Sequence, residues 1–302
     1  MPSLDQLNAR PFTRVLILGD SGSGKTGCQA SLVKAGYDLF LLDMDNGWEP
    51  LANAVKETCP ERLSSVQVET FRDKMQSGPF GPAFEGIPSA YVGATKLLDK
   101  WGEFGPPSRF GPERILSLDS LTHFSNAALN YQFAMNPSAG QKGGPDPRTL
   151  YGAAQQGIEK IFNWLTADWF QTNVIVTAHI QFTEMLDGKL RGMPISAGQA
   201  LSPKIPTYFN TILLCRSEPG GRRFIHTVGD AMIDLKSPVK LENKYPIDTG
   251  LATIFEILKG QATCAPKTSL ASPTPPIVHT PKLPAGSLRP IGTPSLKQIA
   301  KP

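Results

Sequence analysis

No apolar run in the 302-residue chain approaches the roughly 18 to 20 residues needed to span a bilayer; Val15 to Leu18 and Leu39 to Leu42 are the length of a strand. The opening Met1-Pro2-Ser3-Leu4-Asp5-Gln6 lacks the basic and apolar blocks of a secretory signal. Cysteine is scarce. Cys28, Cys59, Cys215 and Cys264 form no CxxC pair, which argues against a zinc ribbon or disulfide scaffold and for free thiols in a reducing compartment. These absences lead us to expect a soluble, cytoplasmic protein without a membrane partner. Acidic residues are missing from residues 261–302, which carry Lys267, Lys282, Arg289, Lys297, Lys301 and nine of the 28 prolines. So little apolar surface cannot offset the entropy of ordering that segment, so a disordered basic tail is expected. Setting its five cations aside turns the net charge of +4 into −1 for residues 1–260. The expected organisation is a short arm at 1–11, one large domain at 12–260, and the tail at 261–302.

Within the domain, short β-rich runs alternate with helical stretches, the pattern of an α/β fold with a mostly parallel central sheet. Strands are predicted at 14–18, 38–42, 114–118, 173–177 and 211–215. Their runs are continuously apolar rather than alternating, so helices should cover both faces. Helices are predicted over 25–35, 90–101, 150–167 and 249–258, and a C-terminal antiparallel hairpin over 223–227 and 231–235. Residues 77–89 and 136–148 are rich in Gly and Pro and read as surface loops.

Residues Gly19-Asp20-Ser21-Gly22-Ser23-Gly24-Lys25-Thr26 match GxxxxGK[ST] directly after an apolar strand and before a helix. Glycines let successive backbone N–H groups converge on phosphate oxygens, and the following helix adds its dipole. Lys25 is then expected to reach the β- and γ-phosphates of ATP, and the Thr26 hydroxyl to coordinate Mg²⁺. Such a loop requires a carboxylate on a neighbouring strand. Asp119, at the end of the run Arg114 to Leu118, is the candidate, with an N-cap of the next segment as its plain alternative.

The second strand ends Asp43-Met44-Asp45-Asn46-Gly47. Asp45 could orient or deprotonate an attacking water, while Asp-Asn-Gly is equally good turn chemistry. The fourth strand ends Thr177-Ala178-His179-Ile180-Gln181, placing His179 or Gln181 where a γ-phosphate sensor would sit, with His179 preferred.

In this order the motifs resemble the RecA-type ATPase core, and among such proteins the phage nucleotide-binding proteins with a minimal RecA-like core, a group that includes single-strand annealing recombinases. The resemblance spans residues 12 to about 258. It implies a RecA-like P-loop NTPase that uses ATP and Mg²⁺ and acts on single-stranded DNA in recombination, annealing or repair. A homo-oligomeric ring or filament and a host-cytoplasmic location for a phage protein are implied as well. Lys25 and Thr26 match its Walker A pair and Asp119 its Walker B aspartate. Asp45 stands where such proteins usually have Glu; one methylene less shifts the carboxylate by about 1.5 Å, which implies altered turnover. His179 stands where many have Gln. The DNA-facing loops correspond to 134–150, with Lys142 and Arg148, and 182–204, with Lys189, Arg191 and Lys204. Arg222, Arg223 or Lys236 could complete a neighbouring subunit's nucleotide site. Two other classes remain open on the residues alone, a nucleotide-gated assembly factor and a small-molecule P-loop kinase.

Overall fold

The computed structural model describes residues 12–185 and 188–260; the expectations for the arm and the tail fall outside them. Eight strands form one sheet: β1 (Arg14–Leu18), β2 (Asp38–Asp43), β3 (Val66–Thr70), β6 (Gly111–Asp119), β7 (Thr172–Ala178), β10 (Thr211–Ser217), β11 (Arg223–His226) and β12 (Lys244–Pro246). Their order across the sheet is β12-β11-β10-β1-β7-β6-β2-β3. The six strands from β10 to β3 run parallel, and β11 and β12 add an antiparallel edge. Two small hairpins lie outside this sheet, β4 (Met75–Gly78) with β5 (Gly81–Phe84) and β8 (Ile180–Glu184) with β9 (Leu190–Pro194).

The strands' continuous apolar runs are explained by cover on both faces. Leu16 and Leu18 point into a core with α3 (Ala90–Asp99), α4 (Leu121–Met135) and α5 (Pro147–Leu165). Val15 and Ile17 point the other way, against α1 (Ala30–Lys34), α2 (Glu49–Thr58) and α6 (Gly250–Leu258). Arg14, although buried, donates to the carbonyls of Leu165, Ala167 and Phe170 and so satisfies backbone acceptors at and beyond the C-terminal end of α5.

Strand register aligns the ends of the central strands. Leu18 lies beside Ala178, Leu118 beside Val176, and Asp43 beside Asp119, so the chain leaves β1, β7, β6 and β2 along one edge. In open α/β sheets ligands bind outside the carboxyl ends of the strands.

Four local expectations are corrected. The segment at 231–235 is not a strand: Asp230 accepts from the N–H groups of Met232 and Ile233, Ile233 is buried, and the chain touches β10 through a single bridge at Lys236. Its place beside β11 is taken by β12. The helix expected from Lys25 begins instead as a 3-10 turn at Gly27–Gln29 and becomes α-helical at Ala30. Part of the expected loop at 77–89 is the β4–β5 hairpin, because Gly81 adopts a φ of 114° that permits the tight reversal. The first half of the expected DNA-facing loop at 182–204 belongs to the β8–β9 hairpin.

Candidate functional site

The floor of the candidate site is the loop 19–26. Gly22 and Gly24 have φ values of 75° and 98°, a region from which a Cβ is largely excluded, so these glycines are required by the bend itself. Gly19 N–H donates to Ala178 O, tying the start of the loop to the end of β7. Lys25 is buried, and its Nζ donates to Gly19 O at 2.9 Å and Asp20 O at 2.8 Å, curling back over the loop. Burial lowers its pKa, against the opposing pull of Asp119 and Asp45.

Beside it, Thr26 Oγ1 donates to Asp119 Oδ2 at 2.5 Å, and Thr177 Oγ1 donates to Asp119 Oδ1. β7 lies between β1 and β6, so Asp119 is one strand further from the loop than a neighbouring-strand carboxylate would be, and Thr177 fills the gap. Burial raises the pKa of Asp119, and the two hydroxyl donors only partly counter it. A half-buried hydroxyl and a buried carboxylate whose oxygens meet across this distance are hard oxygen donors, the set that suits Mg²⁺. The N-cap alternative for Asp119 does not describe the geometry, since the residue preceding α4 is Ser120 and neither makes a side-chain cap.

The wall is built on Asp45. Its Oδ1 lies 2.6 Å from His123 Nδ1 and accepts from Ser120 Oγ at 2.8 Å and Ser120 N at 3.2 Å; its Oδ2 lies 3.5 Å from His179 Nε2. Burial opposes ionisation of this carboxyl, but hydrogen bonds from His123, His179 and Ser120 together outweigh it and hold it well below the usual carboxylate range. The same contact raises the pKa of His123. Asp43, the other acid of this turn, is used structurally: it accepts from the N–H groups of Asp45 and Gly47 and from Thr70 Oγ1. Turn chemistry and a cleft-facing carboxylate therefore coexist, divided between the two aspartates.

His179 Nδ1 lies 3.4 Å from Lys25 Nζ, so this one ring touches both floor and wall. Gln181 turns away to Ser202. Floor and wall enclose a cleft of about 420 Å³ lined by Ser21, Gly22, Gly24, Lys25, Thr26, Asp45, Asp119, His123, His179 and Arg223, among others.

His123, Ser120 and Thr177 do not stand out in the sequence reading. The available signal was the run Asp119-Ser120-Leu121-Thr122-His123, in which positions three apart share a helix face. Arg223, considered as a cation for a neighbouring subunit, lines the cleft of its own chain. The cations of the two expected DNA-facing loops are dispersed. Arg191 pairs with Asp234 at 3.3 Å and Lys204 with Glu159 at 2.7 Å, whereas Lys142 and Arg148 are exposed near the start of α5 and Lys189 sits at the β8–β9 turn.

Cys28, Cys59 and Cys215 are free and buried. Among the described residues no helix is long and apolar enough to cross a membrane.

Comparison with solved structures finds similarity to the RadB recombinase, at 17% identity over 82% of this chain and 92% of that one, with a TM-score of 0.45. It also finds an ATPase from the type III secretion system of pathogenic bacteria, at 15% identity over 68% and 52% of the two chains, TM-score 0.39. The ATPase EscN of enteropathogenic E. coli matches at 14% identity over 76% and 47%, TM-score 0.41. This chain thus spans about half the length of the two secretion ATPases. No curated protein sequence matches. A family model described as AAA domain matches residues 12–239. With a GxxxxGK[ST] loop at the carboxyl edge of a mostly parallel sheet, the chain belongs to the AAA domain family of P-loop ATPases.

Proposed function

We propose that the protein binds ATP with Mg²⁺, hydrolyses it, and couples that cycle to single-stranded DNA in recombination, annealing or repair. The observation that carries this reading is the convergence of Lys25, the Thr26–Asp119 pair, Asp45 and His179 on one cleft. Loop N–H groups and Lys25 bind the phosphates, with Gly19, Asp20, Ser21, Gly22, Ser23 and Gly24 supplying the cradle. Mg²⁺ held by Thr26 and Asp119 would neutralise charge on the phosphate oxygens. Asp45 orients the water that attacks the γ-phosphorus as the bond to the ADP oxygen breaks. A carboxyl held so far below its usual range is a weak base, so Asp45 positions the water, and the water's proton ends on the phosphate product. His179, in reach of both Lys25 and Asp45, reports the γ-phosphate.

The DNA part of the reading rests on position. The β8–β9 hairpin begins at the residue after His179 and carries Lys189, Arg191 and the exposed Phe182, a combination of cations and an aromatic face suited to single strands. Lys142, Arg148 and Lys204 would extend the phosphate contacts, and a homo-oligomer would align copies along one strand. Phosphate release from ATP, measured with and without single-stranded DNA, tests this: stimulation by DNA supports it, and no DNA binding at low salt by wild type or Lys25→Ala ends it.

One observation favours a second reading, an assembly factor gated by nucleotide. Asp45 is already engaged by His123 and Ser120, which leaves less of it free for water. Nucleotide-driven assembly with turnover unchanged in Asp45→Ala would select that reading.

A further inference from the structure

We propose that Asp45, His123 and His179 form a binding site for a divalent transition cation of the zinc class, separate from the Mg²⁺ position assigned to Thr26 and Asp119. Each residue offers one ligand atom, and the three atoms all lie within 4.8 Å of one another. The two rings approach different oxygens of the carboxylate, His123 Nδ1 at 2.6 Å from Asp45 Oδ1 and His179 Nε2 at 3.5 Å from Asp45 Oδ2. Ligand atoms about 2.1 Å from a tetrahedral ion lie about 3.4 Å apart, so side-chain adjustments on the scale of an ångström would close the site.

The donor set decides the class of ion. Two imidazole nitrogens and one carboxylate oxygen suit zinc, cobalt or nickel, whereas Mg²⁺ seeks oxygen alone and has that at Thr26 and Asp119. The ligands come from three separate elements: Asp45 from the turn after β2, His123 from α4, and His179 from the β7–β8 junction. They are held in relation by Thr122, whose Oγ1 accepts from the backbone N–H of His179 while its chain neighbour is His123. Ser120 Oγ donates to the same Asp45 oxygen that His123 meets and so holds the carboxylate in place. Such outer contacts orient metal ligands. All three residues are incompletely buried and line the cleft, so an ion can enter and three protein ligands leave a coordination position open toward it.

The contacts of Asp45 with the two rings join these residues as a His-Asp-His network. The ion replaces those contacts and takes the carboxylate that the proposed hydrolysis needs, so this site would let a transition metal restrain turnover. That consequence rests on the proposed function, but the binding site itself does not.

The test uses full-length protein purified free of metal and nucleotide, with Co²⁺ as a visible-absorbing probe and Zn²⁺ as its competitor. Wild type is expected to develop the d–d bands of a nitrogen- and oxygen-bound Co²⁺, without a thiolate charge-transfer band, and to lose them on adding Zn²⁺. His123→Ala, His123→Gln and His179→Ala should weaken Co²⁺ binding at least about 100-fold, more than loss of an outer partner alone typically costs. Thr26→Ala should leave it unchanged. Absent bands in wild type, bands that persist in the histidine variants, or a thiolate signature would overturn the proposal. Circular dichroism and thermal unfolding of the same samples confirm that each variant is folded, and binding of a fluorescent ATP analogue with Mg²⁺ reads the nucleotide site separately.

Discussion

The floor and the wall of the cleft each hold one aspartate, and their surroundings push the two carboxyls in opposite directions. Asp119 is enclosed, receives two hydroxyl donors and is raised by burial; Asp45 is partly open, meets two histidines and a serine and is lowered by them. Identical side chains thereby suit different tasks. The enclosed one gains most from a cation, and the open one stays ionised and can hold a water or an ion.

The largest effect expected on this comparison comes from the floor. Lys25→Ala should lower ATP turnover by about 10² to 10³-fold, the range for removing one preorganised charge-stabilising donor, as measured by phosphate release. Asp45→Asn should reduce turnover by about 10²-fold while ATP affinity stays within about threefold, because it touches the wall and not the phosphate cradle. An equal loss of affinity in both variants would erase the distinction between floor and wall.

Stability separates the two sides next. Thr177→Val removes a donor to buried Asp119 and should destabilise the protein by about 1–3 kcal/mol in urea titration. Ser120→Ala, at the more open carboxylate, should cost less, since Asp45 keeps its histidine partners and access to water.

The smallest effect is the pH dependence of the Asp45–His123 pair. His123 is raised, so its contribution is complete below its unfolded pKa of about 6.5 and is lost as pH rises through the folded value. Asp45 is lowered, so its contribution is present above about 3.9 and is lost as pH falls through its folded value. The stability difference between wild type and His123→Gln should therefore be widest between about pH 4 and 6.5 and shrink above that. For a pair this exposed it should stay under about 1 kcal/mol. A difference that grows above pH 7 would reverse the assignment of the charges.

The alternation of strands and helices was legible in the sequence because burial on both faces demands runs such as Val15-Leu16-Ile17-Leu18, with no dependence on distant partners. The edge was harder to read. Val228-Gly229-Asp230 has hairpin chemistry, yet Asp230 turns the chain locally and Ile233 packs into the core, so β12, further along the chain, pairs with β11 instead. Arg191 and Lys204 looked like free loop cations because Asp234 and Glu159 are 43 and 45 residues away from them.

By itself the sequence determined the phosphate loop, because a local bend needs local glycines, and it determined which strand ends carry acids. Only the tertiary structure decided which acid does what. Placing β2 beside β6 brings Asp45 to Ser120 and His123 across 75 residues or more, and placing β7 between β1 and β6 brings Thr177 to Asp119 and His179 to Lys25. A carboxyl's ionisation follows from the burial and partners that surround it, and those are set by strand order, which no local spacing encodes.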